Sequence, residues 1–183
     1  SFTLAHELGH AGHFQLANKN QSLLNTQVST YFVEAPSTLN ELLLAAYLFE
    51  QSKDDRMRAY VINNLLDTYY HNFVTHMLEA AFQYRVYDLA EAGVPLTAEL
   101  LTKVKYEAIK NFGVEDVEIP RSAGLIWMRQ PHYYMGLYPY TYSAGLTIAT
   151  SVAQKIKKGE PKIVDRWLEV LKAGSSLKPI DLA

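Results

Sequence analysis

The residues equipped for chemistry come almost at once. His6-Glu7-Leu8-Gly9-His10 lies inside the run from Phe2 to His13. On a helix, residues four apart share a face, so His6 and His10 can offer two imidazoles to one ion. Zinc takes neutral imidazoles at about 2.0–2.1 Å. Glu7, beside His6, is suited to take a proton from a water that such an ion activates. H-E-x-x-H on a helix is the short signature of metal-assisted peptide hydrolysis. Catalytic zinc usually holds three protein donors, so two histidines leave one to find. The downstream carboxylates are Glu34, Glu41 and Glu50. Glu34 follows the apolar run Tyr31-Phe32-Val33, where a second helix can return antiparallel and turn the carboxylate inward. Glu41 lies seven residues on, on the same face, and suits the outer nitrogen of a ligand histidine. His13 drifts round the helix from His6 and His10 and reads either as a support behind the metal ligands or as structural. His71 and His76 read as core or surface histidines.

A second chemical stretch runs from Pro131 to Gly145 and holds His132, Tyr133, Tyr134, Tyr138, Tyr140 and Tyr142. Peptide hydrolysis passes through a tetrahedral oxyanion. Neutral donors such as phenols and an imidazole stabilise it more than they stabilise the flat carbonyl. Gly136 and Pro139 bend the backbone so that several rings can converge.

The elements that must hold these groups read as an all-α chain. Helices are expected over residues 2–18, from between Val33 and Ser37 to about Glu50, over 54–91, from a Thr97 cap to a close at Asn111-Phe112-Gly113, over 142–158, and from Pro161 to about Ala173. Residues 22–31 and 114–135 read as irregular, with a short extended piece near Val28–Tyr31. Leu4, Ala5, Leu8 and Ala11 form an apolar side that packs the motif helix, while Gly9 and Gly12 predict close approach by another backbone or by substrate. Residues 177–183 read as the start of a further helix.

Bulk composition narrows the classes. The chain has 183 residues, 49% hydrophobic and 20% charged, with formal net charge -2. There is no basic stripe for nucleic acid and no apolar run long enough for a bilayer. Cysteine is absent, which excludes a disulfide framework and a thiolate nucleophile. That fits an intracellular protein, and a cytoplasmic location is the expectation.

Three separated features together resemble the thimet oligopeptidase-like zinc metallopeptidases, most closely the bacterial oligoendopeptidase F branch. They are Thr3 through His10, Phe32-Val33-Glu34-Ala35-Pro36-Ser37 through Glu41, and His132-Tyr133-Tyr134 running to Tyr138-Pro139-Tyr140-Thr141-Tyr142. The resemblance implies one Zn2+ held by His6, His10 and Glu34, with Glu7 as general base. It implies His132 and Tyr142 as the groups on substrate and oxyanion, with Tyr138 and Tyr140 as substrate contacts. The implied fold is a zincin-like, multi-helix catalytic portion of a larger two-lobed peptidase enclosing a channel for short peptides. On that reading residues 1–183 are a single C-terminal catalytic portion cut at both ends, whose partners are short peptides and the rest of its own chain. The rival readings are an exopeptidase of the same superfamily, such as one releasing C-terminal dipeptides, and a non-catalytic helical interaction module.

Overall fold

A computed structural model describes residues 2–113 and 117–183. Among these residues there is no strand, in line with the all-α expectation. The chain divides into two compact units. The first combines residues 1–72 with 141–183, and the second spans Phe73–Tyr140.

In the first unit, α1 (Phe2–Asn20) and α2 (Thr30–Gln51) pack against each other, joined through a short 3-10 turn, Leu23–Asn25. The helix α3 (Asp55–Tyr69) follows, and α6 (Tyr140–Lys157), α7 (Ile163–Lys172) and α8 (Pro179–Leu182) complete the unit. Phe32 and Ala35 of α2, Ile148 of α6, Leu171 of α7 and Leu182 of α8 form one buried cluster. Leu39, Leu42, Leu146 and Ala149 form a second. No described helix is long and apolar enough to cross a membrane.

Several expectations change. The helix α2 begins at Thr30, not between Val33 and Ser37; of the extended piece expected near Val28–Tyr31, Ser29 is extended at φ -66° and ψ 136°, while Thr30 and Tyr31 are already helical. Ser29 caps it by accepting from Tyr31 N. Pro36 therefore lies inside the helix rather than opening it. Its missing N–H and fixed φ resemble a first-turn signal in sequence. The apolar side expected to pack α1 faces outward instead: Leu4 and Leu8 are 60% and 57% exposed, and α1 buries Gly9, His13 and Ala17. That buried stripe is made of small residues and a histidine because α2 comes too close for leucines.

Gly9 measures how close. A Cβ there would lie 2.5 Å from Pro36 O and from Ser37 Cα, and on α6 a Cβ on Gly145 would lie 2.7 Å from the backbone carbonyl carbon of Glu34. The segment Glu34–Ser37 is thus gripped between two glycines on different helices. Gly12, expected to do the same, has nothing within 4 Å.

The long helix read over 54–91 is interrupted by a π-helical segment, Tyr70–Thr75, before α4 (His76–Glu91). One extra residue per turn leaves no mark in composition, so the apolar periodicity runs through it. Asn72 Nδ2 donates to Thr68 O, and Ser143 Oγ of α6 donates to Asn72 O.

In the second unit, α4 is followed by α5 (Ala98–Phe112), capped by Thr97 accepting from Leu100 N as expected. Residues 114–116 of the stretch read as irregular lie outside the described residues. The rest holds two 3-10 helices, Arg121–Arg129 and Pro131–Tyr134. Gly124 lets the first approach α5, since a Cβ there would lie 2.6 Å from Thr102 O, and Trp127 Nε1 donates to Thr102 Oγ1. Pro161 lies in the turn before α7, which starts at Ile163 after a left-handed Lys162 with φ 63°.

Two alanine substitutions separate helix propensity from packing. At Gly12, alanine is expected to raise stability by about 0.5–1 kcal/mol, the propensity gain. At Gly9 the same gain meets backbone that cannot swing aside, so a net loss of about 1–3 kcal/mol is expected. Urea unfolding of the full-length protein carrying each substitution measures the sign of both.

Candidate metal centre

The helices α1 and α2 bring three donor atoms together. His10 Nε2 lies 3.2 Å from His6 Nε2, and Glu34 Oε2 lies 3.5 Å from His6 Nε2 and 3.4 Å from His10 Nε2. These three residues form a possible metal-holding group among the described residues. Donors on a zinc ion at about 2.0–2.1 Å stand about 3.3–3.4 Å apart at tetrahedral angles. The triangle is therefore of the right size for one such ion, with its fourth corner outside the triad.

The surrounding hydrogen bonds fix which nitrogens face inward. Glu41 Oε1 holds His6 Nδ1 at 2.6 Å, and Glu41 Oε2 accepts from Thr68 Oγ1 at 3.0 Å. With Nδ1–H given to Glu41, the neutral His6 presents the Nε2 lone pair to the triad. Ser37 Oγ lies 3.1 Å from Glu34 Oε2 and 3.0 Å from Glu34's own carbonyl oxygen, so one hydroxyl hydrogen serves both. Glu34 is only 3% exposed. An ionised carboxylate buried that deeply needs a positive partner, and converging lone pairs repel unless a cation or a proton stands between them. Asn40 Nδ2 donates to Ala5 O and ties the start of α1 to α2.

Electrostatics agree. Burial works to lower the His6 pKa, but the Glu41 hydrogen bond and the charges of Glu41, Glu34 and Glu7 outweigh it and raise the value above the ordinary 6.5. Protonated His6 is thus favoured in the triad relative to a free imidazole. His13 behaves differently. Burial, helped by His10, lowers its pKa to about 4, and its ring meets Phe32 edge-on at 5.8 Å. It is a neutral packing residue, the structural one of its two readings.

Beside the triad is an open cleft of about 480 Å3 lined by His6, Glu7, Glu41 and Tyr142, with Thr68, Asp67 and His71 on the α3 side. Glu7 is exposed and Tyr142 half-buried there. The residues of this site that sequence reasoning missed are Ser37, Thr68 and His71. Ser37 is legible as the helical i+3 neighbour of Glu34. Thr68 and His71 carry no local signal, because only the packing of α3 brings them near. His76, by contrast, is buried in the second unit with Nδ1 2.7 Å from Glu79 Oε2.

His132, Tyr138 and Tyr140 belong to the second unit. His132 stacks on Tyr138 with ring centroids 5.5 Å apart and 14° between planes, and meets His76 edge-on at 6.5 Å. Tyr140 is 37% exposed and lines a shallow cleft with Gln83 and Leu137.

An all-helical chain whose H-E-x-x-H helix and following helix bring two histidines and a glutamate together has the donor set of a metal centre. The profile of Peptidase family M3 matches residues 1–183, and the chain belongs to that family. It is 36% identical over 181 residues to Oligopeptidase PepF of Bacillus subtilis, covering 99% of this chain and 27% of that protein. The crystal structure of oligoendopeptidase-F from Enterococcus faecium superposes with a TM-score of 0.78 at 35% identity, covering 99% of this chain and 32% of that one. A putative peptidase from Chlamydophila abortus gives 0.83 at 30% identity, covering 99% and 30%. The chain thus spans about a third or less of the length of these relatives. The resemblance drawn from the three sequence features is borne out.

The pKa of His6 sets a pH dependence. In the metal-free full-length protein, the NMR titration midpoint of His6 should lie above 6.5, and Glu41→Gln should lower it. Metal uptake displaces that proton, so zinc affinity should weaken as pH falls through the midpoint. Competition with a chromogenic chelator across pH measures this.

Proposed function

We propose that the full-length protein is a zinc endopeptidase that hydrolyses short peptides. The observation that carries this reading is the spacing of His6 Nε2, His10 Nε2 and Glu34 Oε2 at 3.2–3.5 Å from one another, beside a cleft lined by Glu7 and Tyr142. Family membership and the likeness to oligoendopeptidase F proteins support it.

His6, His10 and Glu34 would hold the zinc, and Glu41 would keep His6 in the binding tautomer. Zinc held there would supply Lewis acidity, bringing the pKa of water to about 7 and polarising a carbonyl. Glu7 would accept the proton as the water oxygen bonds to the scissile carbonyl carbon. The electron pair of the carbonyl moves to its oxygen, and the Tyr142 hydroxyl would donate to that oxyanion. Glu7 would then deliver the proton to the leaving amine nitrogen as the C–N bond breaks. By the resemblance, His132 adds a donor on the substrate, and Tyr138 and Tyr140 hold the peptide backbone. The rest of the full-length chain would complete a two-lobed channel that admits peptides and excludes folded proteins. The likeness to oligoendopeptidase F favours the endopeptidase over the dipeptide-releasing alternative.

The test uses the full-length, zinc-loaded protein and internally quenched peptides of graded length, with and without chelator. A peptide blocked at both ends should be cleaved; cleavage only of peptides with a free carboxyl terminus would instead indicate a dipeptidyl carboxypeptidase. Glu7→Gln should keep one zinc per chain by atomic absorption and lose turnover by about 10²–10⁴-fold. Near-normal hydrolysis by that variant would remove Glu7 from the mechanism. Tyr142→Phe should lower kcat by about 10²–10³-fold, the usual effect of losing one oxyanion donor.

A further inference from the structure

The second unit contains a polar interior that neither the metal centre nor the tyrosine chemistry uses. Glu79 and Gln83 of α4 and Lys105 of α5 are 4%, 2% and 3% exposed. Burying three such groups is costly unless each is fully engaged. Each of the three makes a side-chain hydrogen bond to one short stretch of chain.

Gln130 Nε2 donates to Glu79 Oε2 at 3.1 Å. Gln83 Nε2 donates to Tyr133 O at 3.1 Å and to Gly136 O at 2.5 Å, with the Tyr87 hydroxyl at 3.3 Å. Lys105 Nζ donates to the Tyr133 hydroxyl at 3.1 Å and lies over the Phe82 and Tyr133 rings. The carboxylate of Glu79 also offsets part of the burial that pushes the Lys105 ammonium below its usual range.

The geometry of Gln83 is informative. Its amide must point –NH2 toward the two carbonyls, because the flipped amide would set oxygen against oxygen. That leaves Oε1 buried with no hydrogen-bond partner. A buried unsatisfied acceptor is a cost that packing alone does not require. The two carbonyls bracket a bend that contains Gly136 at φ 70°, a left-handed position. The stretch Gln130–Tyr138 carries His132 and its stacked partner Tyr138.

We propose that Gln83 is a positioning residue: by holding the carbonyls of Tyr133 and Gly136 it fixes the bend that presents His132 and Tyr138 to substrate, with Glu79 and Lys105 securing the same stretch at Gln130 and Tyr133. The inference rests on the substrate role proposed above for His132. It gives that role a source of rigidity, since a donor off by about 1 Å loses much of its effect on a transition state.

The experiment uses the full-length, zinc-loaded enzyme carrying Gln83→Leu, which keeps the bulk and removes both donors. Hydrogen–deuterium exchange should accelerate over residues 130–138 and stay unchanged around His6, His10 and Glu34, with zinc content unchanged. kcat/KM for a quenched peptide should fall by about ten- to a hundredfold. In a double-mutant cycle with His132→Ala, the two losses should be strongly non-additive, because Gln83 acts through His132. Additive losses, or unchanged exchange over 130–138, would overturn the proposal. A purely stabilising role would lower the unfolding midpoint and leave the cycle additive. Lys105→Met is the second variant if Gln83→Leu does not fold; it should show the same local exchange and the same non-additivity, and unchanged exchange there overturns the proposal equally. Should wild-type enzyme cleave no peptide, the proposed function fails on its own, and the exchange pattern alone then decides the anchoring.

Discussion

The site depends on one steric constraint. Residues Glu34–Ser37 run between a glycine of α1 and a glycine of α6, and a methyl group at either would stand 2.5–2.7 Å from backbone atoms. Only that approach lets a glutamate on α2 reach two imidazoles on α1. A glutamate side chain spans few bonds, so its carboxylate meets a metal-sized triangle only when the two helix axes come unusually close. Leu4 and Leu8 of α1, left outside that contact, face away from it. The contact is paid for in helix propensity, because glycine in a helix interior costs about 1 kcal/mol relative to alanine.

Electrostatics then convert proximity into a defined state. Glu34 is buried and acidic, and its burial is tolerable only with a cation or proton in the triad. Glu41 selects which nitrogen of His6 faces the triad, and Thr68 orients Glu41 in turn. This chain of contacts runs from α1 through α2 to α3. A proton on His6 and a metal ion in the triad would compete for the same Nε2 lone pair.

The second unit solves a different problem with similar means. Its tyrosine-rich stretch bends at Gly136, and buried side chains of α4 and α5 hold that bend. Polar groups in an interior are expensive when unpaired and directional when paired. That directionality can fix a loop more sharply than apolar packing does.

Much of this was legible in the sequence. The four-residue histidine spacing needs nothing but helix geometry, and Glu34 and Glu41 follow from one further helix whose residues share a face every seven positions. The caps at Thr97 and the stop at Gly113 are equally local. Where the reading erred, the deciding partner was distant in sequence. The apolar side of α1 looks like core until α2 takes the glycine face, and nothing local to Gln83 marks the carbonyls fifty residues on that it holds. The sequence by itself determined which groups could do chemistry, because residue type and helical period are local properties. Only the tertiary structure decided how near those groups come and what holds them, because close approach is set by what the opposing backbone permits.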